Sequence, residues 1–313
     1  MTSVRQRRNH AGIQAVVGAR EQINQLHITR CRLSTSYSML RVRKIQSFDL
    51  PELQPYRTMR RQEEQRKQGL FVAEGEKVVR RLLESDFRVV SALLPEKWLQ
   101  ELRPLLEKRH EKVEVFVAEK KLLETLTGFS MYQGLLAVGQ VPPQPALKEV
   151  LSRSPRPRLL AAVDSLSSAE NLGALVRNCT AFRVQALVVG ETSSSPFLRR
   201  AVRSSMGTVF QLPIVEANSL VEALLEMRAA GIRCIAAHPH VKGRTLSQAD
   251  FSQDFCLVFG SEGHGLSARI LEACDEAVAI PMPPTVDSLN VGSAAAVFLY
   301  EANRQRGILK TAD

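Results

Sequence analysis

The stretch Cys256-Leu257-Val258-Phe259-Gly260-Ser261-Glu262-Gly263-His264-Gly265-Leu266-Ser267 decides the fold class. Its first four residues are apolar, which predicts a strand buried on both faces, and the glycines behind them permit tight turns and close approach to a ligand. Similar runs recur at Leu159 to Val163, Ala186 to Val189, Cys234 to Ala237 and Ala277 to Ile280, with helical patterns between them. Apolar strands alternating with helices predict an α/β fold whose mostly parallel sheet is covered on both faces. Ligands of such sheets bind beyond the carboxyl ends of the strands, so the loops there are the places to look for chemistry.

Two further loops hold that position. After Val163-Asp164 comes Ser168-Ala169-Glu170-Asn171-Leu172-Gly173-Ala174-Leu175-Val176-Arg177-Asn178, with Asn171 expected near a helix start and Arg177 inside the helix. Six positions apart, the two do not share a helix face, so a joint role requires Asn171 to lie in the loop before the helix. Read alone, Asn171 is an N-cap and Arg177 a solvated charge. After Ile280-Pro281-Met282-Pro283-Pro284 comes Val286-Asp287-Ser288-Leu289-Asn290-Val291-Gly292-Ser293, leading into a helix whose Ala294 to Ala296 predict close packing. The glycine loop lacks both the G-K-[ST] ending of a phosphate loop and G-x-G-x-x-G spacing. It also lies late in the chain, where a Rossmann fold would place its glycine turn after the first strand.

The amino-terminal half reads as a separate, smaller α/β unit. Strand-like runs at Leu70 to Ala73, Val89 to Leu94, Val113 to Val117 and Leu135 to Val138 are interleaved with helical patterns at Val78 to Leu83 and around Glu101 to Lys112. Pro142, Pro143, Pro145, Pro155 and Pro157 interrupt helices and interior strands alike and mark a boundary. The expected organisation is a disordered basic leader over 1–44, a smaller α/β domain over 45–141, a proline-rich linker over 142–157 and a larger α/β domain over 158–308. The leader also has the Arg-rich, acid-poor look of an organellar transit peptide. A basic RNA-gripping arm, or an over-extended start with Met39 as the alternative first residue, fits it equally.

The 313-residue chain has a formal charge of +10, but the charge is unevenly placed. Residues 1–44 carry nine Lys and Arg against the single acid Glu21, while 45–150 carry 17 against 16 and 151–313 carry 16 against 15. Any RNA-binding surface on the folded part must therefore come from local clustering, and Arg57, Arg60, Arg61, Arg66 and Lys67 supply one cluster that can track phosphates. Glu63 and Glu64 lie inside it, so a solvated, neutralised helix face is the competing reading. No apolar run is long enough to cross a bilayer, so no membrane association is expected. Five scattered cysteines without a C-x-x-C pair argue against a disulfide framework and a zinc site, and favour a reducing compartment. His238 and His240 flank Pro239 without a third ligand, which reads as a surface turn, and no metal is expected.

Taken together and in order, these motifs resemble the SpoU family of knotted RNA methyltransferases. N-x-G-x-x-x-R falls at Asn171, Gly173 and Arg177, and G-x-E-G-x-G-L at Gly260, Glu262, Gly263, Gly265 and Leu266. I-P-M with S-L-N-V then falls at Ile280 and at Ser288 to Val291. Arg203-Ser204-Ser205-Met206-Gly207 with Leu212-Pro213 is similar to the family's connector, and the resemblance covers roughly Tyr56 to Arg306. It implies an α/β fold of SPOUT type with a carboxyl-terminal trefoil knot, an exception to the rule that chains do not knot. It also implies a preceding ribosomal-protein-like substrate domain, a homodimer with Val291 to Leu299 as a candidate contact, and S-adenosylmethionine as cofactor. Gly260, Ile280 and Leu289 are then the expected cofactor contacts. Arg177, Asn171, Glu262, Ser288 and Asn290 form the expected polar site around the reacting ribose. The implied activity is methylation of a ribose 2′-hydroxyl in ribosomal or transfer RNA, with ribosomal RNA favoured, in the cytoplasm, or in mitochondria if the leader is a transit peptide. A non-catalytic RNA-binding protein on the same scaffold, and a base rather than ribose methyltransferase, are the alternatives.

Overall fold

The structure, a computed structural model, describes residues 40–127, 134–239, 244–261 and 263–308. Strands β1 (Leu40–Lys44), β2 (Leu70–Glu74), β3 (Val89–Leu94), β4 (Val113–Val117) and β5 (Leu136–Gln140) form one mixed sheet in the order β1-β4-β3-β5-β2. Helices α1 (Gln54–Arg57), α2 (Gln62–Gln68), α3 (Glu76–Glu84), α4 (Glu96–Glu107) and α5 (Lys120–Thr127) connect these strands. The apolar period of α3 puts Val78, Val79, Leu82 and Leu83 in the core, and that of α4 does the same for Leu99, Leu102 and Leu106.

The leader ends earlier than residue 44. Leu40–Lys44 pairs in parallel with β4, Leu40 opposite Val113 and Lys44 opposite Val117. Composition hid this strand because backbone hydrogen bonding, rather than an apolar face, holds it: Arg41, Val42 and Lys44 are exposed. Arg43 pairs with Glu52 at 2.9 Å and Arg41 with Glu114 at 3.6 Å, so the basic residues also find local counter-charges. Residues 1–39 of the expected leader lie outside the described residues.

The proline-rich stretch likewise contains more than a linker. Between its two groups of prolines, helix α6 (Leu147–Arg153) buries Leu147, Val150 and Leu151. Their i, i+3, i+4 spacing is a helical apolar stripe, short enough to be masked by the prolines around it.

The second sheet comprises β6 (Leu159–Val163), β7 (Ala186–Val189), β8 (Ile214–Glu216), β9 (Arg233–Ala237), β10 (Arg244–Thr245), β11 (Phe255–Phe259) and β12 (Glu276–Ala279), in the order β10-β12-β9-β11-β6-β7-β8. All its pairings are parallel. Side chains alternate between two cores: Leu159, Ala161, Leu257 and Phe259 enter one, and Leu160, Ala162, Cys256 and Val258 the other. This two-sided burial is why the strands read as unbroken apolar runs. Helices α7 (Ala169–Ala181), α8 (Arg199–Ser204), α9 (Leu220–Ala229), α10 (Ala268–Ala273) and α11 (Val291–Gln305) complete the domain. Register then decides where the loops start: Phe259 stands opposite Val163 on one side and Ala237 on the other, so the three central strands end level.

The small unit packs against this domain through aromatic rings. Phe71 and Phe87 meet Phe197 and Phe210 with ring centroids 5.3 to 6.0 Å apart. Around the rings, Glu74 forms ion pairs with Arg199 and with Arg203, the latter at 3.6 Å, and Arg81 donates to the Met206 carbonyl. Gly207 sits at φ +80° against α3, where an added Cβ would lie 3.3 Å from the Val78 Cα.

Candidate active site

The loop after β11 folds back on itself. Ser261 and Gly265 exchange two backbone hydrogen bonds, of 3.0 and 2.9 Å, and Gly265 turns the chain at φ +66°. A Cβ on Gly260 would lie 2.2 Å from the Gly265 carbonyl carbon and 2.4 Å from the Leu266 nitrogen. Real atoms do not approach so closely, so the turn requires glycine and presents backbone where a side chain would otherwise stand. Glu262 lies outside the described residues.

The loop after β12 reaches the start of α11, where Asn290 is the N-cap. Its Oδ1 accepts a hydrogen bond from the Gly292 amide at 2.9 Å, and its Nδ2 donates to Asn171 Oδ1 at 3.1 Å. Asn178 Nδ2 donates to the Gly292 carbonyl at 2.6 Å. Helices α7 and α11 can come this close because Ala174 and Gly292 face each other: a Cβ on Gly292 would lie 3.3 Å from that of Ala174. The close approach falls at Gly292, just before the Ala294 to Ala296 run read from the sequence, and Ala294 lines the cavity between the loops.

Asn171 itself is not the cap of α7. Ser168 is, its Oγ accepting from the Asn171 amide at 3.3 Å. Asn171 therefore sits within the first turn rather than in the loop, and the condition set above for a joint role with Arg177 on one helix face is not met. Six helical steps leave the two side chains about 120° apart around the axis. Arg177 is exposed on α7.

Between the loops lies a cavity of about 450 Å³, and Gly260, Ile280 and Leu289 all line it. Ser288 lines it as well, whereas Arg177, Asn171 and Asn290 do not. Phe259, Val291, Ala294 and Phe298 form an apolar wall, with Phe259 and Phe298 edge to face at 6.0 Å. The structure thus gathers the expected cofactor positions, links two of the polar ones to each other beside the cavity, and leaves Arg177 on the outer surface of the same helix.

Sequence reasoning missed the contribution of β9. Ala237, His238 and Pro239 line the cavity, and the His238 amide donates to the Val278 carbonyl at 3.1 Å, joining that loop to β12. Their place directly after the apolar run Cys234 to Ala237 was the signal available. His240 lies outside the described residues, and among those described no group of three or more His, Cys, Asp or Glu gathers as metal ligands would. Cys179, Cys234, Cys256 and Cys274 are free, and burial raises the thiol pKa of each, that of Cys274 to about 12, which leaves them poor nucleophiles.

On the small unit, Arg57, Arg60, Arg61, Arg66 and Lys67 are all exposed. Arg61 is paired with Glu64 at 3.0 Å, so the neutralisation anticipated from the sequence applies to at least one member. No helix among the described residues is long and apolar enough to cross a membrane.

Comparison with known proteins matches residues 158–300 to the SpoU rRNA Methylase family and residues 51–137 to the MRM3-like substrate binding domain. An uncharacterised tRNA/rRNA methyltransferase of Mycobacterium tuberculosis is 33% identical over 239 residues, which is 75% of this chain and 81% of that protein. A second, from Mycobacterium leprae, is 32% identical over 243 residues, covering 76% and 71% respectively. In fold, the AdoMet-bound rRNA methyltransferase of Sinorhizobium meliloti superposes with a TM-score of 0.73 at 23% identity, over 84% of this chain and 98% of that one. The SpoU methyltransferase AviRb of Streptomyces viridochromogenes, in complex with AdoMet, gives 0.69 at 27% identity over 82% and 98%. With a relative one-third identical across four-fifths of its own length, and with the three loop motifs brought together at one edge of a parallel sheet, the chain belongs to the SpoU family of SPOUT methyltransferases.

Proposed function

We propose that the chain is an S-adenosylmethionine-dependent RNA methyltransferase that modifies a ribose 2′-hydroxyl, in ribosomal RNA in preference to transfer RNA. One observation carries the reading: the loops after β9, β11 and β12 converge on a single cavity whose lining includes Gly260, Ile280 and Leu289. The residues present fit the cofactor. The apolar wall of Phe259, Val291 and Phe298 suits a flat heterocycle, and the Gly260 turn offers backbone donors and acceptors for its polar edges. When bound, S-adenosylmethionine supplies a methyl group on a sulfonium centre already activated for displacement.

What remains for the protein is positioning and charge. A guanidinium is not deprotonated in proteins, so Arg177 is assigned to holding an RNA phosphate and favouring negative charge on the ribose oxygen. The proton leaves to a phosphate, to Glu262 or to water. Asn171 and Asn290 keep α7 and the start of α11 in register beside the cavity, and Ser288 contributes a hydroxyl at its rim. Because Arg177 faces outward, it completes a site in a homodimer. α11, which packs on α7, leaves Val297 40% and Tyr300 53% exposed, and burial of that surface by a second copy is the dimer we propose. The expected trefoil knot and the cytoplasmic location belong to the same proposal, the latter supported by four free cysteines. Arg57, Arg60, Arg61, Arg66 and Lys67 are its RNA-tracking surface, supported by their shared exposure.

Nucleoside-resolved methylation maps of total RNA from cells with and without the protein test the substrate. Loss of a 2′-O-methyl mark in ribosomal RNA is expected. Loss of a base methylation, or an unchanged map, contradicts the reading, and the unchanged map favours a non-catalytic RNA-binding protein.

A further inference from the structure

A second pocket, of about 390 Å³, adjoins the cofactor cavity and shares with it a wall made of Ser261, Gly263, His264 and Gly265. It lies beyond the ends of β6 and β11, and serine hydroxyls supply most of its side-chain polarity. Ser165, Ser167, Ser168 and Ser267 line it together with Asp164, and neither Lys nor Arg is among its lining residues. Asp164 is buried and engaged on both oxygens, Oδ1 accepting from Ser165 Oγ at 3.0 Å and Oδ2 from the Ser267 amide at 3.0 Å. The carboxylate therefore orders the walls and is not presented to a ligand as a bare charge.

The walls are also held in advance of any ligand. Ser165 has φ 54°, an uncommon conformation for a residue with a side chain, and its Oγ lies 2.8 Å from Thr192 Oγ1. The Leu166 amide donates to Ser193 Oγ at 3.1 Å, and Ser194 Oγ donates to the Ser167 carbonyl. Residues kept in sparsely populated conformations persist where their surroundings over-determine them, and they cluster at binding sites.

A pocket whose lining holds neither Lys nor Arg does not suit a phosphate, and its mixture of hydroxyls with apolar surface suits a flat group that is polar at its edge and apolar on its faces. Hydroxyls both donate and accept, which matches the mixed edge of a nucleobase. We propose that this pocket receives the base of the target nucleotide, swung out of its stack, with His264 as the ring on which the base lies. With the base there, the attached sugar falls at the shared wall, beside the cofactor cavity. The inference rests on the ribose methyltransferase reading and adds its substrate class: RNA in a loop or single strand, whose bases can splay out onto aromatic side chains.

The test uses the full-length protein with a ribosomal RNA substrate at saturating S-adenosylmethionine. Ser167 is exposed, so Ser167→Phe fills the pocket without disturbing a core. It is expected to lower kcat/KM for RNA about tenfold or more while leaving cofactor affinity, measured by calorimetry, within about twofold, the scale of losing one base–aromatic stack. His264→Ala is expected to show the same loss in RNA kinetics, and His264→Phe to restore most of it, which a merely structural role for the histidine would not do. Wild-type RNA kinetics in Ser167→Phe, or a loss of cofactor affinity equal to the loss in RNA kinetics, overturns the pocket assignment. Failure of the wild-type protein to make any 2′-O-methylnucleoside instead overturns the parent reading, so the two failures are told apart.

Discussion

Asn290 Nδ2 donates a hydrogen bond of 3.1 Å to Asn171 Oδ1, joining two motifs that lie 119 residues apart in the chain. The same Asn290 side chain caps α11 through its Oδ1 and the Gly292 amide. One side chain thus fixes both where α11 begins and where it sits against α7.

This double role separates two substitutions. Asn290→Ala loses the cap and the bridge and is expected to cost about 1 kcal/mol of stability, the usual value of an N-cap, together with most activity. Asn290→Asp keeps an acceptor at a helix N-terminus, where negative charge is favourable, but cannot donate to Asn171 Oδ1. Denaturant unfolding should find Asn290→Asp close to the wild type, while methylation assays find both variants impaired.

Gly260→Ala puts a methyl group onto backbone that has nowhere to go, since the nearest atoms belong to Gly265 and Leu266. The loop must open. Overpacking of this kind costs about 1–3 kcal/mol where it is absorbed locally, and the expected outcome is loss of S-adenosylmethionine binding with the fold retained. Calorimetry against circular dichroism separates the two effects.

Arg177→Ala is expected to abolish turnover while sparing cofactor affinity, because Arg177 does not line the cofactor cavity. Tyr300→Glu is expected to convert a dimer to monomers by placing charge on the exposed face of α11, and to lose activity with it. Sedimentation and single-turnover assays check the pair. An active monomer removes the proposed sharing of Arg177 between subunits.

Acid should act on the small unit through Glu111. Burial opposes ionisation of its carboxyl, but hydrogen bonds from Arg109 and from the Val89 amide outweigh burial and hold the pKa below its ordinary value. A carboxyl depressed in the folded state stabilises fully above its unfolded pKa, and that stability is lost as pH falls through the folded value. Glu111→Gln should therefore unfold more readily at neutral pH and show a flatter acid limb. Arg109→Ala should be worse, by about 1–3 kcal/mol, since the guanidinium also serves the carbonyls of Leu83, Ser85 and Phe87 and its loss would leave the half-buried Glu111 carboxylate with the Val89 amide but no counter-charge. Thermal unfolding across pH measures both.

The parallel sheet was legible because two-sided burial leaves an unmistakable trace: Leu159 to Val163 and Phe255 to Phe259 are apolar at every position. That Gly260, Ile280 and Leu289 would meet at one cavity was legible through motif order rather than through any local preference. What escaped was held by backbone or masked by neighbours. The strand Leu40–Lys44 carries three basic residues in five and is fixed by pairing with β4, and the short stripe of Leu147, Val150 and Leu151 is fenced by prolines. Asn171 was misplaced by one helical turn because Ser168, an equally good cap, precedes it by three residues. His238 was passed over because its role depends on which strand stands beside β9, and a single sequence does not reveal strand order.

Transfer of label from methyl-labelled S-adenosylmethionine to RNA, followed by digestion to nucleosides, shows whether this cavity presents a ribose oxygen to an activated methyl group. The label is expected in a 2′-O-methylnucleoside with the wild-type protein and nowhere with Arg177→Ala. Label on a base, or equal labelling by the two proteins, contradicts the proposed ribose methyl transfer.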